Sequence, residues 1–237
     1  MSQKASAPAI YEVLTIIKNG KESVLKAKTI NFNYYESLYS PVITANMMFL
    51  DAGGSTPDDK ENLTSIKDGL PITALEDLQV KIQTKFGTLD FTKDPFKVVS
   101  SPVMHQESNR QTVLLNLVNE KEIKNSELPI FDRFVGKISD TVTKILQQKL
   151  QVSQDKINVE STKNSYGITG KGRGALNIIL DLCRRSVPVK GDAGYFFFQT
   201  QDGFNFKSID ALLSQDAKQK YIYSGGMRDN LDNSDND

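Results

Sequence analysis

The chain contains one histidine and one cysteine, and these two counts limit its chemistry before any fold is considered. A single imidazole, His105, excludes any metal or catalytic site that needs two. It leaves a serine–histidine–aspartate relay arithmetically open only through that residue. Cys183 alone cannot form an internal disulfide or a multi-cysteine zinc site. It falls on the apolar stripe Leu176, Ile179, Leu180 and Cys183, where a thiol packs rather than reacts, because a reactive thiolate needs exposure and nearby positive charge. Arg184 and Arg185 follow it directly, but consecutive helical residues do not face each other. The stretch GITGKGRG, 167–174, precedes a helix and invites a phosphate-site reading. Its spacing fails: Lys171 is followed by Gly172 instead of Ser or Thr, and Gly170, Gly172 and Gly174 do not give G-x-G-x-x-G. It reads as a flexible entry into a packed helix. Asp58, Asp59 and Glu61 lack the spacing of an EF-hand and read as a solvated loop. Lys18, Lys21, Lys26 and Lys28 read as the wet face of a β-ribbon. No two carboxylates are spaced so as to face each other across a substrate. The residues themselves predict no catalytic, cofactor-binding or metal site.

Composition narrows the class further. The 237 residues are 38% hydrophobic and 24% charged, and 29 Lys+Arg balance 29 Asp+Glu. That balance gives no overall support to charge-driven nucleic-acid binding or to a polybasic membrane role. No apolar run approaches the roughly 18 residues needed to span a bilayer. Residues 1–8 lack the apolar core of a secretory signal. The expectation is a soluble protein made in a reducing cytosol, without stable membrane insertion.

Periodicity supplies the elements. Residues 11–17 and 24–30 predict two strands joined at Asn19-Gly20, which adopts positive φ at low cost. Residues 42–50 alternate, with Ile43, Ala45, Met47 and Phe49 on one face, and end at Asp51, Gly53 and Gly54. A short helix over 62–68 ends at Gly69. Residues 78–86 put Leu78, Val80, Ile82 and Phe86 on one side and polar residues on the other. Two further strands are expected at 96–104 and 111–118. The period then changes. Phe131, Phe134, Val135, Ile138, Val142, Ile145, Leu146 and Leu150 recur every three or four residues and predict an amphipathic helix over 131–150. A short strand holds Ile157 and Val159, and a helix takes 175–186. Residues 195–200 and 204–206 form a hairpin at Asp202-Gly203, and Ser208 caps a short helix through Leu213. The sum is an α+β, mainly β fold: an antiparallel β-barrel or sandwich over 8–120, a small α/β domain over 121–214, and a polar acidic tail over 215–237.

The order of the pieces resembles a known family. NYYESLYSPVITANMMFLDAGG (33–54) resembles a segment of phage tail-tube-like proteins. GLPITALEDLQVKI (69–82) is similar to the segment that follows it in baseplate hubs. LLNLVNEKEIKN (114–125) and RFVGKISDTVTKILQQKL (133–150) resemble the hub strand that runs into its first inserted helix. GDAGYFFFQTQDGFNFKSIDALLS (191–214) resembles the aromatic hairpin. Together the chain is similar to the central baseplate hub protein of contractile-tailed bacteriophages, related to the spike base of type VI secretion systems. The resemblance implies a tail-tube-like barrel and a homotrimer on the tail axis of the virion, taking part in genome ejection. It implies a non-enzymatic subunit partnered by the tail tube and tube-initiator proteins, the membrane-piercing spike and baseplate wedge proteins. Family subunits usually carry two tube-like barrels. About 23 residues follow Ser214, so a second tube-like barrel is expected from another protein or from further copies. Tube-like domains join through sheet edges, and Tyr34, Tyr35, Glu36, Ser37 and Pro41, with the first hairpin, are the expected interface residues. The alternatives are another tail-tube or baseplate-wedge protein, or a small cytosolic enzyme using His105.

Overall fold

The computed structural model describes residues 9–216 apart from 53–55, 58–62, 71, 86, 109 and 193. Gly53, Gly54, Asp58, Asp59, Glu61, Phe86 and residues 217–237 of the acidic tail lie outside the described residues.

Strands β1 (Ile10–Lys18) and β2 (Lys21–Val24) form the expected hairpin, with Lys18 opposite Lys21. Asn19 and Gly20 carry φ of 51° and 77°, the pattern of a type I′ turn. The second strand lies earlier than the predicted 24–30 and shares only Val24 with it. Leu25 turns into the core, fully buried, and its N–H donates to Leu14 O at 2.8 Å. A 3₁₀ turn over Lys26–Lys28 follows, and extended structure resumes as β3 (Thr29–Tyr35).

The next elements are β4 (Thr44–Asp51), β5 (Thr56–Pro57), β6 (Leu63–Thr64), α1 (Ile66–Gly69), β7 (Asp77–Thr84), β8 (Gly87–Ser100), β9 (Val103–Glu107) and β10 (Arg110–Asn119). The predicted strand 96–104 is therefore two strands. Pro102 cannot donate to a ladder, and the chain breaks there before β9 begins. The first half of β8, TLDFTKDP, has too little apolar alternation to read as a strand.

Seven strands pair antiparallel in the order β2-β1-β7-β8-β10-β4-β3, and β9 adds to β10 beside β8. Laid flat, this path would separate its edges by about 29 Å, at ~4.8 Å per strand. Yet β2 and β3 are joined by only four residues, which span at most about 18 Å. The sheet is therefore curled on itself, and the 3₁₀ turn packs against both β1 and β4 at the seam. Its inner face is the first core: Leu14, Ile16, Met47, Phe49, Leu78, Val80, Phe96, Val113 and Leu115 are buried there.

Beyond β10 the chain builds a second core. Helix α2 (Glu120–Glu127) starts at Asn119, whose side chain accepts from Lys121 N at 2.9 Å. The predicted helix 131–150 is corrected in its first part. Residues Arg133–Lys137 are a strand, β11, and the helix α3 runs only over Ile138–Gln148. Gly136 has φ of 129°, which is not helical, and β11 pairs with β13 (Ser165–Thr169). Phe131 and Val135 consequently point outward, 71% and 72% exposed. The rest of the stripe holds: Phe134, Ile138, Val142, Ile145 and Leu146 are buried. Strand β12 (Ile157–Val159) is present as expected, and Gly167 lies inside β13 instead of a loop. Helix α4 (Ala175–Cys183), the hairpin β14 (Tyr195–Thr200) and β15 (Gly203–Ser208), and α5 (Ile209–Leu213) complete the described residues. Strand β12 runs parallel to β15, and Ser208 Oγ accepts from Ala211 N at 3.1 Å as the cap of α5. The fold is α+β and mainly β, with two hydrophobic cores.

Candidate assembly surfaces and the junction between the cores

Among the described residues three hydrogen bonds and one ring contact join the hairpin β14–β15 to the barrel. Gln201 N donates to Glu36 Oε1 at 2.8 Å, and Gln201 Nε2 donates to Thr88 O at 2.9 Å. The buried Gln199 accepts from Ile43 N at 3.1 Å through Oε1. Tyr39 meets Phe196 edge-on, with centroids 5.8 Å apart. Gly203 has φ of 133°, and a Cβ there would sit 2.2 Å from Lys156 O. A cavity of about 200 Å³ lies at the junction, lined by Phe91, Asp94, Asn119, Lys121, Gln151 and Gln201 among others.

The predicted interface residues divide at this junction. Glu36 accepts from both Gln201 N and the Tyr34 hydroxyl, so its carboxylate is spent inside the chain. Burial first, and then the Glu36 bond, raise the Tyr34 phenol above its ordinary range. Tyr35 is 50% exposed, and its hydroxyl accepts from Asn46 Nδ2. Ser37 is exposed and accepts from Tyr39 N through Oγ. Pro41 is half-buried. Next to them lie the outer edges of the curled sheet. Among the described residues strands β2 and β3 each pair on one side only, and Val24 and Ile30 stand out from them, more than half exposed. Such edges are templates for another chain.

The other sequence candidates are separate. His105 lies exposed on β9, its Nε2 3.3 Å from Glu107 Oε1. Cys183 is buried, and burial pushes its thiol up to about 12. The glycine stretch closes on itself. A Cβ at Gly170 would lie 2.1 Å from Ile130 O, and Arg173 Nε donates to Gly170 O at 3.1 Å. Lys18 donates to Thr73 Oγ1 at 2.8 Å and to the buried Glu76 Oε1 at 2.9 Å. Burial raises the Glu76 carboxyl, but Lys18 and the Thr73 N–H outweigh it and hold the group below the usual carboxylate range. Among the described residues no three His, Cys, Asp or Glu side chains gather as a metal site.

Two features escaped the sequence reading. Asn125 of α2 caps α4 from a distance: its Oδ1 accepts from Leu176 N at 2.9 Å, above Gly174, which has no side chain to do so. A long-range cap has no local signature. The second is a groove beside β11 holding Arg133, Lys137 and Lys144. Assigning 131–150 to one helix hid it, because the strand–helix break is what brings these cations to one side.

No family model matches the chain, and no curated protein matches it. Among solved structures the chain is similar to the tail protein of Neisseria meningitidis MC58, at 8% identity and a TM-score of 0.45 over 82% of this chain and 49% of that one. It is also similar to an Escherichia coli component of the type VI secretion system, itself described as structurally similar to two T4 bacteriophage tail proteins. There the identity is 9% and the TM-score 0.45, over 84% of this chain and 46% of that one. The chain spans about half the length of these two proteins.

Proposed function

We propose that this chain is a structural subunit of a phage tail baseplate: the central hub protein, trimeric on the tail axis, linking the tail tube to the membrane-piercing spike. The observation that carries the reading is the contact between Glu36 and Gln201. These residues belong to two separately hub-like segments, 33–54 and 191–214, and folding brings them together. Chance likeness of unconnected segments would not require them to meet. In this reading the barrel over 8–120 and the α/β part over 121–214 are two domains braced at the junction. Tyr35, Ser37 and Pro41 face a neighbouring subunit, while Tyr34 and Glu36 hold that segment in shape. The open edges of β2 and β3 supply backbone donors and acceptors for strand addition. The protein acts by assembly, not turnover, and its place is the virion.

The test is a map of the assembled particle. Copies of this chain around the tail axis, between tube and spike, are the expected result. Copies at the periphery would instead favour a wedge protein, and copies stacked along the tail a tube protein.

A further inference from the structure

The α/β part carries a basic groove that the hub reading does not use. It runs between β11 and the first turns of α3, about 420 Å³ in volume, and is lined by Arg133, Phe134, Val135, Lys137, Asp140 and Lys144 among others. Three cations face one carboxylate. None of the three forms an ion pair among the described residues. Lys137 donates to the neutral Ser161 Oγ at 2.7 Å, and Lys144 sits 5.9 Å from the Phe134 ring centroid. Among the described residues strand β11 pairs only with β13, so its other edge is left without a strand there. Val135, 72% exposed, adds an apolar surface there. An open strand edge flanked by cations suits one kind of ligand, an extended acidic peptide that bonds through its backbone and pairs through its carboxylates.

We infer that this groove binds an extended acidic segment, and that the segment is residues 227–237 of the same chain. MRDNLDNSDND carries four aspartates against one arginine, the opposite charge to the groove. Its Leu231 provides an apolar side chain for Val135. Reach also favours the same chain. Lys137 bonds Ser161; Ser161 O accepts from the Tyr195 hydroxyl at 3.0 Å; and Tyr195 lies opposite Ser208, the residue that opens α5. The last described stretch of chain therefore starts close to one end of the groove. From Asp216, the eleven residues to Met227 can span up to about 35–40 Å. Occupied, the groove covers the free edge of β11 and guards it against stray pairing. The groove belongs to the single chain, so this inference and the hub reading fail independently.

The experiment uses the full chain carrying Ser234→Cys and a nitroxide. Cys183 is buried with a raised thiol pKa, so the label goes to position 234. Amide signals of Arg133–Lys137 should lose at least half their intensity relative to the reduced label, while those of Ile10–Lys18 keep theirs. Arg133→Glu with Lys144→Glu should restore the signals. So should Asp→Asn at 229, 232, 235 and 237, which leaves every described residue untouched. An equal mixture of spin-labelled chain and separately isotope-labelled, label-free chain should show no loss between chains. Unattenuated β11 signals overturn the inference, as does attenuation that survives both charge changes. Attenuation of the label-free chain in the mixture overturns the assignment to the same chain.

Discussion

Glu76 is the residue with most at stake. It is 3% exposed, with Lys18 and the Thr73 and Ala74 amides gathered on one carboxylate oxygen. Its pKa in the folded protein lies below the ordinary value of 4.5, so the folded state favours the carboxylate. The stabilisation is complete above that ordinary value and is lost as pH falls through it to the lower folded value. Glu76→Gln should cost about 1–3 kcal/mol at neutral pH. Urea titrations from pH 7 to pH 3 should show the variant's deficit shrinking on the acid side. A deficit independent of pH would mean that the ion pair is not its source. Gly203 tests the backbone instead. Gly203→Ala meets both a positive φ and the Lys156 carbonyl, and a loss of about 1–3 kcal/mol is expected in the same titration at pH 7.

At the scale of elements, α3 and the distant cap of α4 decide the second core. Val142 is fully buried at the centre of α3. Val142→Asp should cost about 3–5 kcal/mol in thermal or chemical denaturation, since it puts an unpaired charge into packed apolar surroundings. Asn125→Ala leaves the Leu176 N–H without its acceptor and should cost about 1–2 kcal/mol. The sequence revealed elements wherever local pattern and local structure coincide. The alternation of β4, β7 and β10, the Asn19-Gly20 and Asp202-Gly203 turns, and the Ser208 cap were legible for that reason. The helix 131–150 was misread because Phe131, Phe134 and Val135 fit a helical spacing by coincidence. The strand there depends on pairing with β13, about thirty residues on, and on the φ of Gly136. Pairing of that kind is tertiary, as is the reach of Asn125 to α4, and neither leaves a local mark. The candidate interface was legible only as a segment. Glu36 turning inward to Gln201, 165 residues away, is visible only in the fold.

At the scale of the whole molecule, the barrel meets the second core through polar bonds, the Tyr39–Phe196 contact and Val42, which is buried in that core, while among the described residues β2 and β3 each pair on one side only. Strand edges of this kind can pair with another chain. Tyr35→Glu, at an exposed position beside that edge, should weaken self-association without lowering thermal stability, since the side chain contributes little to either core. Assembly is tested most directly by the protein's mass in solution by light scattering, alone and with tail tube and spike proteins added. A particle three times the 26.4 kDa of one chain, or a larger one formed with spike protein, is expected. A strict monomer that binds neither partner would contradict it.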